Sequence, residues 1–380
     1  MPRVLSISSS RADIGILLPV WRALAHRGCD VHIFLTGMHA AAGAPDVGPL
    51  PGAARLHRGG ANLSGTTPQQ VAAAMASIAS DTGGVLADIE PDVVLVVGDR
   101  LDMAPAALAT VPFNVALAHL HGGEITEGAL DDRLRHAMTK LAHLHCVSTE
   151  GARRRLLALG EEEWRIRVTG APGLDTLLEA PEMDRAEFLS AVGFAADAAE
   201  FRLVTVHPET NSPDPEAPLR AVLGAIESRP APTLFTAPNA DPGGAKMRAV
   251  IETFVERFEW ARFRASLGPV LYPNALRHAR MMIGNSSSGV IEAGMFGLPV
   301  IDVGERQRGR DRDANVATVP NDVAAVGQAM DRISSDPVRH VGASLYGDGR
   351  SGPRIAAVLA ELPERRRLLR KSHGPSVAAA

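Results

Sequence analysis

The stretch FNVALAHLHGGEITEGALDDRLRHAMTK, residues 113–140, decides the fold. Its first eight residues, FNVALAHL, form an apolar run that predicts a buried strand over 113–120. A Gly-Gly turn at Gly122–Gly123 ends the run, and a helical pattern follows over 130–142. Around the turn stand His119, His121, Glu124, Glu127, Asp131, Asp132, Arg133, Arg135, His136 and Lys140. Polar groups crowded just past the C-terminal end of a buried strand are how an α/β protein presents a binding or catalytic site. A helix that only faces solvent needs charges, but it does not need this opening.

The same alternation runs outward in both directions. Toward the N-terminus, RVLSIS (3–8), VHIFLTG (31–37) and DVVLVVG (92–98) read as strands, with helices over 16–28, 69–89 and around 103–110. Residues 40–66 are rich in Gly, Ala and Pro and read as a loop. HCVSTE (145–150) and RIRVTG (165–170) close a first half, and 171–200 has room for a connecting helix. A second run follows: strands at 201–208, 233–238, 262–266, 281–287 and 298–304, and helices over 215–228, 243–258, 272–279 and 289–296. Alternating strands and helices predict parallel sheets with right-handed crossovers. The expected fold is α/β, two doubly wound Rossmann-like domains facing a cleft. The first covers 1–175 and the second 176–365, with a C-terminal helix returning toward the first domain and 366–380 a disordered tail.

Bulk composition narrows the function. At 380 residues the chain exceeds one ordinary core. A net charge of −4 gives no electrostatic case for nucleic acid or membrane partners. Two distant cysteines, Cys29 and Cys146, make neither a disulfide framework nor a zinc spacing, which favours a reducing cytoplasm. No signal peptide and no run of about 20 apolar residues is evident.

Five further motifs sit at strand ends. SSSRADIG (8–15) has small residues that let backbone approach an anion, and Arg11 adds charge. GDR (98–100) places Asp99 either as an acid, base or acceptor, or as a helix cap. HPETN (207–211) puts His207 past a strand. IGNSSSGVIEAG (283–294) is strand, turn and helix, suited to a diphosphate, with Glu292 placed either for ribose hydroxyls or on a helix surface. GERQRGRDRD (304–313) adds Arg306, Arg308, Arg310 and Arg312, which suit a leaving diphosphate or a solvated basic loop. Asp131 and Arg135 lie four apart and can pair on one helical face. His119 and His121 lack the HxxxH or HExxH spacing of a metal site, so no metal or cofactor is expected.

Taken in order, SRAD, TGMH, GDR, HGGE-TEGA-x-D, RHAMTK, HPET, PNADPGG, GNSSSGVIEAG and GERQRGR resemble the hydrolysing UDP-N-acetylglucosamine 2-epimerases, from about residue 3 to about 320. The resemblance implies a glycosyltransferase-B-like fold and a nucleotide-sugar substrate, with a homodimer or tetramer as the assembly. Non-hydrolysing epimerases carry Glu-Ala-Gly where this chain has His121-Gly122-Gly123, which favours the hydrolysing branch. By position, the resemblance implies Asp99, Glu124, Asp131 and His207 as catalytic. It implies Arg11, His39, Arg100, His121, Arg135, Asn239, Ser286, Ser287, Glu292, Arg306 and Arg310 as contacts to the sugar or its nucleotide. The chain departs from the family at Ile14, at Leu101 and Asp102, and over 40–50. Those positions fall near the sugar end and bear on which sugar is used.

The implied reaction is loss of UDP from C1 with removal of the C2 proton, then hydration of the glycal to N-acetylmannosamine. The C2 proton is not acidic, so leaving-group departure leads. Two proton transfers on opposite faces then require at least two titratable groups. The alternatives are a 2,4-diacetamido-6-deoxy sugar on UDP or GDP, a non-hydrolysing epimerase, and a transferase of the same shape. A transferase has less use for the carboxylates of 121–132.

Overall fold

The computed structural model describes residues 1–40, 50–61, 67–127, 131–198, 200–239, 243–336 and 344–372. The chain divides into two compact units. The first comprises Met1–Glu124, Asp131–Thr176 and Tyr346–Ala380; the second comprises Ile125–Leu130 and Leu177–Leu345.

The first unit is a seven-stranded sheet of β1 (Arg3–Ser8), β2 (Asp30–Leu35), β3 (Arg55–Arg58), β4 (Val93–Val97), β5 (Ala116–Leu120), β6 (Leu144–Val147) and β7 (Ile166–Val168). Its order is β3-β2-β1-β4-β5-β6-β7, and every pairing is parallel. All five residues of β4 are buried, as a strand covered by helices on both faces must be. Trp21 crosses the core and donates its indole N–H to Ser6 Oγ at 2.8 Å, so the buried polar atom is satisfied.

The second unit holds β8 (Arg202–Thr205), β9 (Thr233–Thr236), β10 (Ala261–Arg264), β11 (Met281–Gly284), β12 (Val300–Val303) and β13 (Val316–Val319). Its order, β10-β9-β8-β11-β12-β13, repeats the doubly wound plan, again all parallel. In each sheet the direction of winding reverses once, between β1 and β4 and between β8 and β11. Ligands of such sheets bind outside the strand ends at that reversal.

The structure corrects the sequence reading at several points. The first helix begins at Arg11, not at 16, because Ser10 and Asp13 form a capping box ahead of it. The loop expected over 40–66 contains β3, whose RLHR has no apolar alternation to betray it. The strand expected from 113 begins at Ala116, after a 3-10 turn over Val111–Phe113. β13 and the helix Val323–Ser335 were not foreseen, whereas a C-terminal helix was expected and Ser351–Ala360 is a helix of the first unit. Residues 366–372, read as the start of a tail, are folded in part into the helix Arg365–Leu369. The fully buried Arg165 guanidinium donates to the carbonyls of Leu368 and Arg370 at 2.8 and 2.6 Å. Residues 41–49, where the chain departs from the family, the middle of TEGA-x-D, residues 240–242 of PNADPGG and 373–380 lie outside the described residues.

Candidate active site

In the first unit, the loop after β1 does not offer its amides to an outside anion. Asp13 fills that place: its Oδ2 accepts from the Ser9 and Ser10 amides at 2.7 and 2.9 Å, and its Oδ1 from Ser10 Oγ at 3.0 Å. Burial raises the Asp13 carboxyl above its ordinary range, although the Ser9 amide opposes the shift. The anion-cradle reading of 8–15 is therefore corrected, because the cradle holds the chain's own carboxylate. Arg11 remains exposed at the first helical position. His39 is buried, with Nε2 at 2.9 Å from Ser8 Oγ, and burial lowers its imidazole below the usual value.

The loop after β4 carries Asp99 and Arg100. Asp99 is not a helix cap: its carboxylate pairs with the Arg135 guanidinium, which also reaches Asp132 at 3.2 Å. Arg135 is nearly fully buried, so the pair ties the β4 loop to the helix Asp132–Leu141. Arg100 donates to the buried Asp102 at 3.1 Å and also feels the charges of Asp13 and Asp131. Asp131, at the start of that helix, is thus in the same electrostatic group as Arg100.

The Gly-Gly turn after β5 is forced by packing. A Cβ at Gly123, whose φ is +74°, would stand 2.6 Å from the Ala152 carbonyl oxygen. His119 is fully buried and engaged on both nitrogens, with the Gly98 carbonyl at 2.7 Å and Thr139 Oγ1 at 3.3 Å. Burial drops its pKa to about 3, so it is a neutral strut between β4, β5 and the helix Asp132–Leu141. His121 has a left-handed backbone, φ +60°. Its Nδ1 lies 2.7 Å from Glu124 Oε1, which also accepts from Ser148 Oγ at 2.6 Å.

In the second unit, Asn285 organises the winding reversal. Its side chain accepts from the His207 amide at 2.7 Å and donates to the His207 carbonyl at 2.9 Å. Gly284 has to be glycine: at φ +142°, a Cβ would lie 1.9 Å from the Thr205 carbonyl oxygen. His207 Nδ1 accepts from the Asn239 amide at 3.0 Å, which leaves the hydrogen on Nε2. Burial and Arg306 lower its pKa to about 3. His207, implied by the resemblance as catalytic, is held as a neutral ring with its hydrogen on Nε2.

Ser286 caps the short helix Ser287–Ile291 and meets Ser288 Oγ at 3.2 Å. Glu292 is half-buried, just past the end of the helix Ser287–Ile291. The Tyr272 hydroxyl donates to it at 3.0 Å, and burial lifts its carboxyl to about 7.

The four arginines of 304–313 have separate duties, so neither sequence reading of that loop holds for all of them. Arg312 serves structure, reaching Asp302 at 3.1 Å and the Gln307 carbonyl at 2.8 Å. Arg308 pairs at the surface with Glu127 and Glu305. Arg310 donates to Thr126 Oγ1 at 3.1 Å. The backbone of Arg306 is pinned by the buried Glu209, which accepts from the amides of Glu305 and Arg306 at 2.7 and 3.1 Å. Arg306, Glu209 and Asn321 adjoin a cavity of about 1000 Å³ within this unit.

Two predicted groups are therefore linked in the first unit: Asp99 with Arg135, and His121 with Glu124. In the second, Asn239 is linked to His207, and Asn285 joins His207 to Arg306. Sequence reasoning missed Asp13, Ser148, Glu209, Tyr272 and Asn285 as organisers. Glu209 and Asn285 lay inside quoted motifs, and a search for buried partners of those motifs points to them. Tyr272 carried no such signal.

The profile of the UDP-N-acetylglucosamine 2-epimerase family matches residues 22–360. The chain is 31% identical over 382 aligned residues to a hydrolysing UDP-N,N'-diacetylbacillosamine 2-epimerase from Legionella pneumophila, covering 97% of this chain and 98% of that one. It is 33% identical to a hydrolysing GDP/UDP-N,N'-diacetylbacillosamine 2-epimerase from Campylobacter jejuni, over 65% of each chain. Among solved structures, the UDP-N-acetylglucosamine 2-epimerase from Neisseria meningitidis bound to UDP-GlcNAc matches with a TM-score of 0.77 at 18% identity, over 94% of this chain and 99% of that one. The fold is the two-Rossmann, glycosyltransferase-B-like class. Among the described residues, no helix is long and apolar enough to cross a membrane.

Proposed function

The chain belongs to the UDP-N-acetylglucosamine 2-epimerase family, and on that premise we propose that it is a hydrolysing nucleotide-sugar 2-epimerase acting on a UDP-linked 2,4-diacetamido-6-deoxyhexose. The observation that carries this reading is the near-full-length similarity to the Legionella pneumophila enzyme. UDP-N-acetylglucosamine, giving N-acetylmannosamine, is the second reading, favoured by the family description.

The chemistry divides as follows. C1–O cleavage releases the nucleoside diphosphate as the C2 proton is removed, giving a glycal. Water then adds at C1 and a proton returns to C2 from the opposite face. Charge builds on the departing diphosphate, so preorganised donors aimed at it lower the barrier. Ser286, Ser287, Arg306, Arg310 and the Nε2–H of His207 supply them, with Asn239 holding the His207 ring. Glu292 receives the ribose hydroxyls. Asp99, Glu124 and Asp131 serve the proton transfers, and Arg135 orients the Asp99 carboxylate. Arg11, His39 and Arg100 complete the contacts to the substrate.

A proton NMR time course in D2O tests the reading with UDP-diacetylbacillosamine, its GDP counterpart and UDP-GlcNAc. The expected products are UDP and a free 2-epimer deuterated at C2. A nucleotide-linked epimer without free sugar contradicts hydrolysis. UDP release only when an acceptor is added contradicts epimerisation.

A further inference from the structure

His121, a predicted site residue of the first unit, has one ring nitrogen engaged. Glu124 Oε1 lies 2.7 Å from Nδ1 and is itself fixed by Ser148 Oγ at 2.6 Å. With Nδ1 donating to the same oxygen that accepts from Ser148, Nε2 is the ring nitrogen left to accept. That Nε2 is buried, and it has no hydrogen-bond partner among the described residues. His119, two residues earlier, is the contrast, with both nitrogens committed to the fold. The backbone adds a second, independent sign. His121 sits at φ +60°, where a residue with a Cβ is strained. The glycines that follow are closely packed: an added Cβ would meet His119 and Thr139 at Gly122, and the Ala152 carbonyl at Gly123. A strained residue held by its surroundings and presenting an unpaired basic atom is the arrangement found at reacting centres.

We propose that His121 and Glu124 form a catalytic dyad in which His121 Nε2 is the base that removes the C2 proton, with Glu124 acting through the ring rather than on the sugar. This rests on the hydrolysing 2-epimerase reading and names the base within it. In the step, the C2–H bond breaks and its electron pair becomes the C1=C2 π bond. The C1–O bond breaks and its pair leaves with the diphosphate. The proton goes to Nε2, and the imidazolium formed is stabilised by the Glu124 carboxylate at Nδ1, as the aspartate of a serine-hydrolase triad stabilises its histidine. Asp99 is spent on Arg135 and suits this step less well.

The test is His121→Gly in the full-length enzyme. Glycine accepts φ +60° without strain, so the variant is expected to fold, and it leaves a hole the size of the ring. The expected result is a loss of kcat of about 10³-fold, with KM and UDP affinity within about threefold of wild type. Added imidazole should restore turnover saturably, and the rescued reaction should show a primary isotope effect with donor deuterated at C2. His121→Asn, which tolerates the same backbone, should lose kcat equally but without rescue. Turnover by His121→Gly or His121→Asn within about tenfold of wild type overturns the dyad while leaving the hydrolysing reading intact. Loss without imidazole rescue, or rescue without an isotope effect, also overturns it. A wild-type enzyme that releases no free sugar from any donor overturns the underlying reading, and the dyad falls with it.

Discussion

The two winding reversals share one topology and carry opposite chemistry. Between β1 and β4 the loops bring acids and bases: Asp13, Asp99, Asp102 and, one strand on, the His121–Glu124 pair. Between β8 and β11 they bring neutral donors: an Asn285-clamped His207 held as the Nε2–H tautomer, and serine hydroxyls at a helix start. Strand order therefore fixes where a site forms, whereas the residues following each strand fix what it does. On the proposed function, the first reversal moves protons and the second holds the diphosphate.

The largest expected effects break the first half of that contrast. Asp99→Asn, Glu124→Gln and Asp131→Asn should each lower kcat by about 10²–10⁴-fold, measured as UDP release. Near-normal turnover in all three would leave the first unit without its assigned role. Next comes a pair of matched glycines. Gly284→Ala drives a Cβ to 1.9 Å from a backbone carbonyl, whereas Gly98→Ala, at φ +71°, meets nothing within 4 Å. Urea denaturation should show Gly98→Ala costing about 1 kcal/mol, and Gly284→Ala costing several times that or preventing the second unit from folding. Equal losses would mean that the second loop is not the tighter of the two.

A smaller effect concerns pH. Glu292 is raised from 4.5 to about 7, so its protonated form is favoured in the folded state. The stability it contributes is complete below pH 4.5 and is lost as pH rises through about 7, amounting to about 3 kcal/mol. Glu292→Gln should flatten that part of the stability–pH curve and gain on the wild type as pH rises. An unchanged slope would show that Glu292 is hydrated and uncoupled from Tyr272. The smallest effect is Arg308→Ala, whose exposed ion pairs are worth about 1 kcal/mol or less, with kcat/KM changed less than about threefold. A larger loss would mean that Arg308 joins Arg306 in binding the diphosphate.

Much of this was legible in sequence because buried parallel strands write themselves as apolar runs, and both β4 and β5 did so. β3 and β13 did not: they are short edge strands with exposed residues, and RLHR and VATV lack the signature of a covered strand. Residue types at the strand ends were also legible, since GDR, HGGE, HPET and GNSSSG stand where the topology requires a site. Pairing was not. Helical spacing points to neighbours on the same helix, but Arg135 also reaches Asp99, thirty-six positions away, which no spacing records. The amides of Ser9 and Ser10 looked open to a ligand, and only the folded turn shows Asp13 filling them. Hydrogen-bond direction fixes the His207 tautomer, and that direction is set by a backbone amide that no motif records.

The most direct test of the division between the two reversals measures kcat and the UDP dissociation constant together in Asp131→Asn and Ser287→Ala. The account predicts that Asp131→Asn loses at least about 10²-fold in kcat with UDP affinity within about threefold, and that Ser287→Ala weakens UDP by about tenfold while keeping most of its kcat at saturating substrate. Loss of UDP affinity in Asp131→Asn with Ser287→Ala unaffected would contradict it.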